Sequence, residues 1–518
     1  MAHRNPFDSK TSAVDICNDD DFEITDLPPE KAGTKHDRRD MARMGQAQEF
    51  RRNFSFIPIF GFAAVSVSYI LPNGGLPAMI YVYLVTLFGF GCAIFSMAEM
   101  ASMAPTSGGQ YHWVSEFAPK SCQKLLSYIV GWFCVLGWQA GVAGQCFTVA
   151  SMIQGLIILN DATYEPQPWH AVLLTIAAAT VAVLFNTFFA RKLPLLEGLV
   201  LFLLIFGFFA ILIPLWVFAP RHSNTAVWTD FTNGGEWPNM GLAFLVGFTG
   251  PMYALIGPDS SVHMAEEVKD ASRTIPWAMV ATLVLNGITG LVMSITFAYC
   301  IGPLDAAAMP QYNFAFIGTF YNATRSHAGA TVMTCVIMAL TFCSAISNVA
   351  AASRQMFAFA RDGGLPFARV LCYVHPGWDI PFNAVMVSFT ITALLSLINL
   401  GSMVAFNAIL SIGVVALLTS YMTSIGCILL KRIRGEELLP RRWSLGVPFG
   451  WFCNIVGFIY VCLAYIFGFF PIANNPTTET MNWASAVYGA VAILSALYYT
   501  VWARHNYVPP AAKLAKDL

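Results

Sequence analysis

The chain has 518 residues, of which 57% are hydrophobic and 11% charged, with a formal net charge of -1 and a mean hydropathy of +0.60. This composition excludes an ordinary soluble domain and describes a polytopic membrane protein whose first partner is the lipid bilayer. The near-zero net charge also removes the electrostatic basis for a nucleic-acid partner.

Residues 1–52 carry an acidic cluster (Asp19, Asp20, Asp21, Glu23, Asp26) followed by a basic stretch (Lys35, Arg38, Arg39, Arg43, Arg51, Arg52). With few large apolar residues to offset ordering entropy, this segment is expected to be a disordered cytoplasmic tail whose basic end lies near the anionic inner leaflet. A helical membrane domain is expected over 53–503 and a short cytoplasmic C-terminal tail over 504–518. The 12 cysteines are scattered, mostly in apolar segments, and read as packing residues.

Stretches free of Asp, Glu, Lys and Arg locate the spans, each needing about 20 apolar residues. The spacing predicts twelve helices: 54–71, 78–103, 125–158, 169–189, 194–219, 239–267, 275–301, 329–358, 381–399, 403–430, 450–472 and 482–503. Loop charge supports this count. With the N-terminus in the cytoplasm, every Lys and Arg except Arg221 and Arg325 falls on the cytoplasmic side, as the positive-inside rule requires. Both termini are then cytoplasmic. Asn322-Ala323-Thr324 lies outside as a candidate glycan acceptor, whereas Asn53-Phe54-Ser55 lies inside and cannot serve.

Two predicted helices are discontinuous. The sixth contains Gly250-Pro251-Met252-Tyr253-Ala254-Leu255-Ile256-Gly257-Pro258-Asp259, and the first combines Pro58, Gly61, Ser66 and Ser68. Proline removes a backbone donor and glycine supports a helix poorly. Such breaks persist in a bilayer where they are buried in protein or line a polar cavity. Breaks five helices apart fit a five-plus-five inverted repeat with the binding site at the breaks; general tolerance of Gly and Pro in membrane helices is the plainer explanation.

Asp259 is the leading candidate. It precedes Glu266 by seven residues, about 10 Å of helix, so it falls inside the membrane profile if Glu266 and Glu267 mark the cytoplasmic boundary. A carboxylate there is costly unless paired, hydrated or protonated. It fits a proton-coupling residue, a partner for a cationic substrate, or an acid hydrogen-bonded at the interface. Tyr253, Ala254, Ile256 and Gly257 lie in the break, where free carbonyls suit an ammonium group. Tyr253 and Trp138 present aromatic faces to a cation. Trp138-Gln139 in the third helix and Ser344, Ser347 and Asn348 in the eighth either line a cavity or hydrogen-bond between helices. Glu197 follows Arg191 and Lys192 and is expected in a structural ion pair. His263, Glu266 and Glu267 lack the second histidine of a zinc signature, so no metal or other cofactor is expected. Nothing marks an enzyme: there is no Walker A or G-x-S-x-G pattern.

Three stretches resemble the fungal amino acid/choline permease family of the amino acid–polyamine–organocation superfamily. They are Ala98-Glu99 through Ser107-Gly108-Gly109-Gln110-Tyr111-His112-Trp113, Gly257-Pro258-Asp259 through Glu266-Glu267 to Pro276, and Ser353-Arg354 through Arg361-Asp362 to Pro366. The resemblance implies a leucine-transporter-like fold, all-α with twelve transmembrane helices, and substrate held between helices 1, 3, 6, 8 and 10. It implies proton-driven uptake across the plasma membrane of an amino acid, 4-aminobutyrate or choline. Carried onto this chain, the substrate residues are Gly61, Ala63 and Ser66 in the first helix, Trp138 and Gln139 in the third, Tyr253, Ala254, Ile256 and Gly257 in the sixth, and Asn348 in the eighth. Asp259 couples the proton. One departure stands out: Gly61 is followed only fourteen residues later by Gly75-Leu76-Pro77, closer than in the family, so the outer half of the first helix is short. Two rival expectations follow, a non-transporting nutrient sensor on the same fold and a transport-impaired homologue.

Overall fold

The computed structural model describes residues 31, 33–46, 48–52, 70–303, 312–375, 378–400, 403–477 and 481–512. Among the described residues the chain is helical throughout, apart from connecting loops and one isolated bridge between Asn73 and Asn233. In chain order the α-helices are α1 Lys35–Arg43, α2 Gly75–Met103, α3 Gln110–Phe117, α4 Gln123–Asn160, α5 Pro168–Phe188, α6 Leu193–Phe218, α7 Asn224–Trp228, α8 Met240–Val246, α9 Thr249–Leu255 and α10 Ser260–His263. They continue as α11 Ala271–Cys300, α12 Ala315–Thr324, α13 His327–Arg361, α14 Ala368–Leu371, α15 Phe382–Leu397, α16 Met403–Ile433, α17 Val447–Phe467, α18 Ala484–Tyr498 and α19 Arg504–Asn506.

Ten of the described helices are long and apolar enough to cross a membrane: α2, α4, α5, α6, α11, α13 and α15 to α18. A shorter apolar stretch, Met240–Leu255, holds α8 and α9. A helix closes its backbone hydrogen bonds internally, so these sequences can remain in hydrocarbon without exposed amides. The helix starts are written locally. Asn239 accepts from Leu242 N at 2.9 Å to cap α8, Ser326 accepts from Gly329 N at 3.2 Å to cap α13, and Pro168 stands in the first turn of α5.

The core is built where small residues let helices close up. α2 packs along α11 and α17, and α4 along α5, α13 and α16. A Cβ added at Gly457 would lie 2.7 Å from the backbone nitrogen of Ala93, so α17 touches the α2 backbone itself. Outside the core, α6 turns a stripe of exposed Leu195, Leu199, Phe202, Phe206, Phe209 and Ile213 away from the bundle, the surface expected of a helix facing lipid tails.

The described helices agree with the predicted spans to within a few residues, with four differences. The first predicted helix, including Gly61, Ala63 and Ser66, lies outside the described residues apart from its end. The sixth, expected as one discontinuous helix over 239–267, is divided into the three short helices α8, α9 and α10. Residues 33–46 and 48–52, expected within a disordered tail, are folded. Thr34 caps α1 reciprocally with Asp37, and Asp37 is buried against the start of α11, accepting from Asp270 N and Ala271 N at 2.9 Å each. The C-terminal segment is folded back as well. Tyr507 is fully buried, its hydroxyl 2.6 Å from Ser127 Oγ. All eleven described cysteines are free.

Candidate functional site

Two prolines shape the sixth span. Pro251 is the third residue of α9, where a missing amide leaves no bond unmade, and the chain turns at Gly247-Phe248 just before it. The true break lies one turn later. Ile256 is extended (φ -71°, ψ 146°) and Gly257 adopts φ +99°, a conformation that glycine alone enters freely. Pro258 lacks the N–H that would have closed on the carbonyl of Ala254, so that carbonyl has no helical partner. The chain re-enters helix only for the single turn α10, followed by a 3-10 turn at Ala265–Glu267.

Asp259 sits at this re-entry and is fully buried. Its Oδ2 accepts from Gln110 Nε2 of α3 at 2.7 Å, and its Oδ1 accepts from the Tyr421 hydroxyl of α16 at 2.6 Å. His263, one turn further along, places Nε2 3.6 Å from Oδ2 and Nδ1 2.9 Å from the carbonyl oxygen of Ser107. The carboxylate therefore ties three separate parts of the chain, with no lysine or arginine in direct contact with it among the described residues. Trp138 of α4 closes the side. Its ring is 5.2 Å from that of His263 and its edge is 4.0 Å from where a Cβ on Gly257 would lie. The Trp138 Nε1 donor is buried without a hydrogen-bond partner among the described residues.

The other predicted residues spread around this centre. Ala254 is buried, and Tyr253, Ile256 and Gly257 are half-buried along the break. Asn348 is half-buried on α13. Gln139 is buried and donates to Ser388 Oγ of α15 at 3.0 Å, an interhelical bond. Ser347 donates to Glu197 Oε1 at 2.6 Å, so the hydroxyl partner of Glu197 comes from α13. Asn322 is half-buried within α12, at the end of the bundle opposite to the charged loops. Gln110, Tyr421 and His263 were absent from the expected set. Only His263 had a local signal, its i,i+4 spacing from Asp259.

Beyond Asp259, towards the end of the bundle that gathers the charged loops, the network becomes ionic. Glu266, fully buried, is bridged by both terminal nitrogens of Arg361 at 2.8 and 3.0 Å, and Glu267 pairs with Arg354 Nε at 2.8 Å. The N-terminal segment is laid across this layer. Arg52 pairs with Asp37 at 3.3 Å and donates to the carbonyls of Ala265 and Val268, while Arg51 and Lys31 both reach Asp379. Burial alone would raise the Asp37 carboxyl, but Arg52 and the amides of Thr34, Ala271 and Asp270 outweigh it and hold it below the usual carboxylate range. Asp379 is lowered likewise, Lys31 and Arg51 outweighing its burial.

A bundle of apolar spans, one of them broken around a buried carboxylate, defines an integral membrane protein of the transporter class. The comparison with known proteins agrees. The amino acid permease family is matched over residues 54–492, and the chain belongs to that family. A protein of Macrophomina phaseolina with the provisional name amino acid/polyamine transporter is 32% identical over 439 residues, 84% of this chain and 96% of that protein. An uncharacterized amino-acid permease of Schizosaccharomyces pombe is 30% identical over 492 residues, 91% of this chain and 85% of that one. The choline transporter of Saccharomyces cerevisiae is 27% identical over 442 residues, 85% and 77% respectively.

Proposed function

We propose that this permease imports a small amino acid or amine, such as 4-aminobutyrate or choline, together with a proton, by alternating access about its first and sixth helices. In this reading the chain has twelve membrane helices related as a five-plus-five inverted repeat, resides in the plasma membrane, and keeps its charged end and both termini in the cytoplasm. Asn322 then faces outside, where it is available for glycosylation. The substrate lies against the break, with the Ala254 carbonyl, which Pro258 leaves without a helical partner, and the aromatic face of Tyr253 suited to an ammonium group and Trp138 Nε1 to an acceptor. Gly61, Ala63, Ser66 and Asn348 complete the site from the first and eighth helices.

The observation that carries this reading is Asp259: a fully buried carboxylate at a helix break, held by an amide and a hydroxyl and, among the described residues, by no lysine or arginine. Glu266 and Glu267, further along the same segment, are each paired with an arginine instead, and the buried Glu197, held by the Ser347 hydroxyl, lies away from the break. The charged end is latched shut, which matches a state closed to the cytoplasm. The test is uptake of labelled choline, 4-aminobutyrate and a panel of neutral amino acids into permease-deficient cells at two pH values. The expected result is concentrative uptake of at least one substrate, faster at the lower external pH. Absence of uptake of every substrate at both pH values would instead fit a sensor or an impaired homologue.

A further inference from the structure

Asp259, the residue before α10, and His263, its last residue, stand one helical turn apart, both with fully buried side chains. His263 Nδ1 faces the carbonyl oxygen of Ser107, which can only accept, so Nδ1 carries a hydrogen. The ring is held in that orientation by the preceding loop. Gly109 has φ +57°, and a Cβ there would lie 2.8 Å from His263 Cε1. In a neutral imidazole with Nδ1 protonated, Nε2 presents a lone pair. Here Nε2 has no hydrogen-bond partner among the described residues and points at Asp259 Oδ2, 3.6 Å away. Gln110 and Tyr421 already donate to the two Asp259 oxygens, the arrangement that an ionised carboxylate needs. A lone pair and a carboxylate oxygen facing each other in a buried site repel unless one proton lies between them.

Resting on the reading of the chain as a proton-coupled transporter, we propose that His263 and Asp259 form a two-residue proton site. His263 Nε2 takes up the transported proton, and Asp259 is its counter-charge. Only a proton moves: a hydronium ion gives it to the Nε2 lone pair, forming an N–H bond and leaving water, and the N–H bond breaks to return it to water when the pair separates. In the protonated form the imidazolium and carboxylate attract, which holds α10 against α3 and α16. Loss of the proton turns that attraction into repulsion and loosens the segment joining the break to the charged end. Trp138 touches both His263 and the break, so occupancy of one is felt at the other.

The other titratable groups around the pair do not supply this proton's place. α16 contributes Tyr421, which donates to Asp259, and α4 contributes the Cys134 thiol, 3.8 Å from Gln110 Oε1. α3 carries Tyr111, bound to Asp362, and the pair His112–Glu116. α13 brings Arg354 and Arg361, bound to Glu267 and Glu266. α11, also packed on α10, has only Arg273, Tyr299 and Cys300 along its length, the last two at its far end.

The experiment compares wild type with His263→Gln in reconstituted vesicles, using whichever labelled substrate the wild type accumulates. Gln can reach Asp259 with a neutral amide but cannot titrate. The expected result is that pH-driven accumulation falls by about tenfold or more while substrate exchange falls far less, and that the pH dependence between about pH 5 and 8 disappears. Accumulation by His263→Gln with the wild-type pH profile would overturn the proton site while leaving proton-coupled transport intact. Wild-type transport without any pH dependence would instead remove the proton coupling on which both rest. Should His263→Gln fail to reach the membrane, Tyr421→Phe serves. It removes a donor that favours ionised Asp259, so the midpoint of the uptake profile should move to higher pH, and an unmoved midpoint would overturn the assignment.

Discussion

The two ends of the bundle are held together by different chemistry. At one end lie Glu99 between Arg432 and Arg441, Glu266 with Arg361, Glu267 with Arg354, and the N-terminal segment fastened through Asp37 and Asp379. At the other end, neutral groups do the work. Asn73 joins Trp237 Nε1 and the Ile472 carbonyl, Asn233 bonds Trp237, Asn160 reaches Thr331, and Asn482 donates to Gly468 and Phe470 carbonyls. No ion pair occurs at that end among the described residues. Buried charge pairs are costly to break singly, whereas amide bonds each contribute about 1 kcal/mol and can be remade with water. The difference teaches that parting the helices at the charged end would strand buried charges, whereas at the other end it would expose only neutral groups.

The largest effect should come from Arg361→Ala, which strands the fully buried Glu266 carboxylate. A loss of about 3–5 kcal/mol is expected, read as a sharp fall in thermal stability of the purified protein. Replacing both partners by leucine should recover much of it, and equal losses in single and double variants would break the ionic-lock account. Next, Asp37→Ala removes the acceptor that docks α1 on α11. About 1.5–3 kcal/mol of local stability should go, seen as faster hydrogen exchange over 33–52 with the spans unchanged. The smallest change is expected from Asn73→Ala at the opposite end, about 1–2 kcal/mol and insensitive to salt.

Acid offers a further way to sharpen the contrast. The folded-state carboxyls of Asp37 and Asp379 are lowered from 3.8, so their stabilisation is complete above that value and is lost as pH falls through the lower folded one. Docking through these two residues should therefore be constant between about pH 5 and 8, measured by exchange of the 33–52 amides. Loosening as pH falls within that window would contradict the assignment of the lock to these carboxylates, whereas loosening as pH rises belongs to Asp40 and Glu49, whose carboxyls burial raises.

Much of the architecture was legible because lipid imposes strict rules. Charge-free stretches marked the spans, and the two-sided distribution of Lys and Arg ordered them. The break in the sixth span was visible as the stretch Gly250–Asp259, and the structure narrows it to Ile256-Gly257, since Pro251, the first of its two prolines, occupies the first turn of a new helix. Asp259 stood out as a carboxylate where apolar residues belong, and the structure buries it at the break. Its partners did not, because Gln110 and Tyr421 are separated from it by 149 and 162 residues and nothing local links them. The folded N-terminal segment was hidden by its polar composition. The available sign was Thr34 three residues before Asp37, a capping pair at the start of a helix.

Asp259 carries the account, and Asp259→Asn tests it most directly, because asparagine keeps the shape and one of the two acceptor oxygens that Gln110 and Tyr421 use but has no charge. Cells expressing the variant at wild-type abundance should exchange labelled substrate yet fail to accumulate it at either pH. Accumulation with the wild-type pH dependence would contradict the claim and return Asp259 to the role of a packing residue.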